Sequence, residues 1–75
     1  VKLQGEPIRL LDVVALTDDL PDGTLLRGQV GTVVAVLGPG VFEVEFSDDE
    51  GRTYAQIPLS ASHLLALHYQ PQRAA

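Results

Sequence analysis

Val41-Phe42-Glu43-Val44-Glu45-Phe46 alternates apolar and acidic side chains once past its first residue. Successive side chains of an extended chain point to opposite faces. Phe42, Val44 and Phe46 then share one face, and Val41, Glu43 and Glu45 share the other. This period of two predicts a half-buried strand over 41–46 with both phenylalanines in a core. Glu43 and Glu45 fall about 7 Å apart on the wet face by strand spacing, where like charges repel. Arg27 or Arg52 on a neighbouring strand is expected to neutralise them. Such charges either keep a sheet edge from pairing with another chain or offer an acidic face to a basic partner.

Working outward, Ser47-Asp48-Asp49-Glu50-Gly51 reads as a turn, with Gly51 suited to a left-handed conformation. A strand follows over 52–57, ended by Pro58, which has no N–H for a ladder. Residues 59–63 read as a short 3-10 turn capped by Ser60, and 64–68 as a last strand. On the other side, Gly38-Pro39-Gly40 reverses the chain into a strand over 29–37. Gly28 and Gly31 at its entrance predict a bulge or sharp bend. The first strand is expected over 12–16. Between these two lies a loop whose Pro21-Asp22-Gly23 turn follows from the fixed φ of proline and the permissive φ of glycine. Leu20, Leu25 and Leu26 would fold that loop back onto the body of the domain.

Seven glycines and five prolines leave no long helical window. The expected fold is all-β: a small SH3-like five-stranded antiparallel barrel with a short 3-10 turn before the last strand. An OB-type barrel is the nearer rival, but it needs a longer chain and a helix between its third and fourth strands. Seventy-five residues make one domain, with a core over about 8–68 and a frayed tail over 69–75.

Ten acids against five bases give a net charge of −5, and no two of Lys2, Arg9, Arg27, Arg52 and Arg73 adjoin. Nucleic-acid and membrane-surface binding, which draw on clustered cations, are disfavoured. With no cysteine there is no disulfide, thiolate metal site or cysteine nucleophile. Val1-Lys2-Leu3-Gln4-Gly5-Glu6-Pro7 lacks the apolar core of a secretory signal. A cytoplasmic setting is expected, with an initiator Met removed ahead of Val1.

Two resemblances attach to these segments. Gly28-Gln29-Val30-Gly31-Thr32-Val33-Val34 resembles the KOW-type motif of small barrels in ribosomal proteins and transcription elongation factors. Those relatives carry basic loops, which this chain lacks. A broader likeness spans about 10–67. It rests on Leu11-Asp12-Val13-Val14-Ala15-Leu16-Thr17, on the Arg27 to Val34 block, on Phe42-Glu43-Val44-Glu45-Phe46, and on Asp49-Glu50-Gly51-Arg52-Thr53-Tyr54-Ala55. Together these resemble a bacterial family of short free-standing domains of unknown function, numbered 4926. The resemblance implies a small β-barrel in a bacterial cytoplasm and assigns no catalytic residue. Neighbours of some members point toward an antitoxin or immunity role.

Candidate chemistry is sparse. His63 and His68 lie at the ends of the last predicted strand, and Ser60 and Ser62 near His63 read as a capped turn rather than part of a triad. Neither the Asp18, Asp19 and Asp22 set nor the Asp48, Asp49 and Glu50 set has the spacing of a calcium loop. No catalytic, cofactor or metal residue is therefore expected. The leading expectation is a non-enzymatic protein-interaction module, of antitoxin, immunity or adaptor type, that binds a basic protein or a second copy of itself. Its contact residues would be Asp18, Asp19, Asp22, Leu25, Leu26, Val41, Glu43, Glu45 and Tyr54. The alternative is a KOW-like module on RNA or the ribosome.

The strand facing is directly testable. Phe46→Asp places a charge with no partner in a core whose domain is stable by only about 5–15 kcal/mol. The variant is expected to be unfolded by circular dichroism, and a near-native urea transition would mean that the facing is inverted.

Overall fold

A computed structural model describes residues 7–71 of the chain. Five strands, β1 (Val13–Leu16), β2 (Val30–Gly38), β3 (Val41–Ser47), β4 (Thr53–Ser60) and β5 (Leu64–Ala66), form one antiparallel sheet in the order β4-β3-β2-β1-β5. A 3-10 turn, Ala61–His63, links β4 to β5. The sheet is open: β4 and β5 are its two edges. No helix among the described residues is long and apolar enough to cross a membrane.

The alternation in β3 sets the core. Phe42 pairs with Leu59, Val44 with Ile57 and Phe46 with Ala55 across to β4, while Val44 faces Val33 on β2. Val44 and Phe46 have no accessible surface, and burying each contributes roughly 1.5–3 kcal/mol. Val14 and Leu16 from β1 join them. Leu59 on one edge strand and Leu64 on the other belong to the same cluster, so the sheet curls around it.

Gly31 lies at the centre of this packing. It pairs in register with Val14 on one side and Phe46 on the other. A Cβ there would stand 2.7 Å from Cγ1 of Val44 and 2.8 Å from the carbonyl oxygen of Glu45. Glycine is present for close approach, and the bend expected at this position lies further on. The β2–β3 register skips one residue between Val33 and Ala35 and another between Val36 and Gly38. Val34 and Leu37 are thus the extra residues of two bulges. On the β1 side, Val33 is the last partner, bonding to Asp12 and Leu11.

Three further expectations are corrected. Pro58 does not end β4, which runs on to Ser60 with Pro58 opposite Glu43. An edge strand tolerates proline, because alternate N–H groups face away from the sheet. Ser60 precedes the 3-10 turn, but its side chain does not cap it. The hydroxyl lies 2.9 Å from Oγ of Ser62 and 3.3 Å from Nδ1 of His63. Finally, β5 stops at Ala66, although the Leu67 N–H still donates to the Val13 carbonyl. Of the expected tail, residues 69–71 are exposed and outside any strand, and 72–75 lie outside the described residues.

Gly31→Ala is expected to destabilise the domain by about 1–3 kcal/mol, because backbone as well as side chain must move to admit the methyl group. Urea denaturation measures this. An unchanged midpoint would mean that β2 and β3 approach less closely than described.

Candidate functional site

The acidic loop before β2 is held by its own carboxylates. Asp18 accepts the Thr17 hydroxyl at 2.9 Å, and Asp19 accepts the Arg27 N–H at 2.8 Å. Asp22 accepts both the N–H and the hydroxyl of Thr24, at 3.0 and 2.7 Å. The Thr24 N–H first, and then its hydroxyl, hold the Asp22 carboxyl below its ordinary value. Gly23, at φ +76°, donates to the Leu20 carbonyl and closes the turn. The Leu20 N–H donates to the Leu25 carbonyl, and Leu25 itself is 2% exposed. Leu25 therefore anchors the loop from within the core and has no surface for a partner, whereas Leu26 stays exposed.

The acidic face of β3 is hydrogen-bonded by neutral neighbours and is not paired with the expected arginines. The Thr53 hydroxyl donates to Oε2 of Glu45, and Nε2 of Gln56 donates to Oε2 of Glu43 at 3.3 Å. Arg52 instead reaches Asp48 at 3.1 Å and Glu50 at 2.9 Å, and the Arg27 backbone serves Asp19. Since β3 lies between β2 and β4, its glutamates guard no edge. Val41 is exposed at the start of the strand. Tyr54 is the extra residue where the β3–β4 register slips. Its ring lies 6.4 Å from that of Phe46, and its hydroxyl accepts from Nε2 of Gln29 at 2.9 Å. That contact ties the start of β4 to the start of β2.

A third surface is one that sequence reasoning did not single out. Residues 9–12 form a turn in which the Asp12 N–H donates to the Arg9 carbonyl and the Arg9 N–H to Oδ2 of Asp12. Leu11 in this turn has φ +71°, a conformation that costs a side-chain-bearing residue about 1–2 kcal/mol. It is also 70% exposed. Beside it, Ile8, Leu10, Val36, Pro39 and Phe42 line a depression of about 470 Å³. A second, of about 440 Å³, runs along Leu64 and Leu65. Pro7, Ile8 and Ala61 border both, so the two form one apolar groove divided by Ile8. The paired Leu10-Leu11 was the available signal. Val36 reaches this surface beyond the first β2 bulge, which no local pattern announces.

Among the described residues no polar or charged side chain is buried, and no three His, Asp or Glu groups gather in a way that could hold a metal ion. Fold and surface together define a small all-β domain, with its apolar groove on the outside. The chain belongs to the family described as a domain of unknown function (DUF4926), whose model matches residues 10–66. No curated protein and no solved structure matches it.

The turn before β4 yields a pH prediction. The Arg52 N–H, then that of Glu50 and the Arg52 side chain, hold the Asp48 carboxyl below its ordinary 3.8. A carboxylate lowered by folding stabilises above its unfolded pKa, and that contribution is lost as pH falls through the folded value. Asn keeps an oxygen for the backbone donors but carries no charge. In urea titrations between about pH 6 and pH 2, Asp48→Asn is expected to lose less stability in acid than the parent. Parallel acid profiles would remove Asp48 from the account.

Proposed function

We propose that the chain is a non-enzymatic protein-interaction module, built as an SH3-like barrel, that docks a partner through the apolar groove around Ile8, Leu10 and Val36. The observation that carries this reading is Leu11. A backbone conformation unfavourable to leucine holds an aliphatic side chain in water beside a contiguous apolar surface. Strain of this kind gathers where a segment acts on something else, and apolar patches mark interaction sites. The barrel reading is supported by the strand order and by the 3-10 turn that joins the two edge strands around a shared core. The exposed acidic loops would steer approach more than they would set affinity.

The non-enzymatic reading is supported by the setting of the histidines. Both are exposed, and Nδ1 of His63 meets only the Ser60 hydroxyl on an open rim. An antitoxin or immunity protein that covers part of a larger partner is one concrete form of the module. The absence of cysteine fits work in a bacterial cytoplasm.

The test compares the parent chain with Val36→Asp, which alters a residue already 55% exposed and so leaves the fold in place. Cross-linking in the cell that encodes the chain is expected to join the parent to a discrete partner that the variant loses. The reading fails if cross-linked partners are the same for both, or if the parent has none and is monomeric in light scattering.

A further inference from the structure

We propose that the groove takes an extended, aliphatic peptide segment that carries an acid, with Arg9 receiving the carboxylate and one apolar side chain seated on each side of Ile8. This rests on the interaction reading above and adds the chemistry of the partner. The charge of the groove is opposite to that of the molecule. The chain has ten acids and five bases, yet among the described residues no acid lines either depression. The titratable side chains that do are Arg9 in one and His68 in the other. Arg9 makes no ion pair among the described residues. The ion pairs there belong to Arg52, and the Asp12 beside Arg9 is engaged by its backbone N–H.

An unpaired guanidinium on an apolar rim suits a carboxylate, which it can meet with two parallel N–H donors. Outside the groove the described residues carry nine acids against Arg27 and Arg52, a balance that disfavours an acid there. The extended form follows from the two depressions and from β5. That strand is a sheet edge, its Leu64 and Leu65 line the second depression, and its outer backbone groups face no neighbouring strand among the described residues. A peptide laid along such an edge gains backbone hydrogen bonds while alternate side chains enter apolar hollows.

The experiment uses the full chain, labelled with ¹⁵N, and three capped peptides: Leu-Glu-Val-Leu-Val and its Gln and Lys counterparts. Amide shifts are expected at Arg9, Leu10, Val36, Leu65 and His68. At low salt the Glu peptide is expected to bind more tightly than the Lys peptide by about tenfold, the sum of one exposed attraction gained and one repulsion removed. Arg9→Glu should invert that order, and Val36→Asp should weaken all three peptides. Equal affinities, or shifts centred on the Asp48 to Arg52 turn, overturn the proposal. So do concentration-dependent shifts at the groove without peptide, with a dimer in light scattering, because the occupant is then a second copy and the interaction reading stands. If no peptide binds but Val36→Asp still loses a cross-linked partner, the acid-peptide claim falls alone. If neither is seen, both fall.

Discussion

Phe46 occupies space that Gly31 leaves open by having no side chain. The two residues face each other across the β2–β3 ladder, and any atom added to Gly31 would collide with Val44, with the Glu45 backbone or with the Phe46 ring. This one close approach lets a short chain bury a full aromatic residue. A domain of this size exposes a large share of its surface, so a fully buried phenylalanine is a substantial part of its stability. Around it, Val14, Val33 and Val44 complete a sealed centre, and the two edge strands curl inward until Leu59 and Leu64 meet the same cluster.

The surface chemistry is subordinate to that centre. Half of the six carboxylates on the acidic loops hold a turn: Asp19 and Asp22 shape the loop that delivers Leu25 to the core, and Asp48 shapes the turn into β4. The geometry of these three is spent on backbone N–H groups. Tyr54 has a similar double character, half exposed yet tied to Gln29 and packed on Phe46. Of the contact residues expected from the sequence, Asp19, Asp22 and Leu25 also serve the loop's own fold.

How far the sequence could be read follows from how local each feature is. The period of two in β3, the Pro21-Asp22-Gly23 turn and the Gly38-Pro39-Gly40 reversal are decided by neighbours in the chain, and each lies where the pattern placed it. Strand ends were less legible. Pro58 stays in β4 because β4 is an edge, a fact of sheet order that no window of sequence contains. Leu25 was assigned to the surface as well as to the loop's fold-back, and only the three-dimensional path shows that its side chain enters the core. The groove was hidden for the same reason. It joins residues from the first turn, the end of β2, the start of β3, the 3-10 link and β5, segments with no common motif.

The two unmatched residues of β2 give that strand more contour than the path it follows on β3. Up to Val33 its facing is dictated by the sealed centre, whereas Val36 beyond the first slip answers to a different surface. One continuous strand thus serves two masters in succession. A substitution on its near half therefore bears on the sealed interior, and one at Val36 on the outer surface.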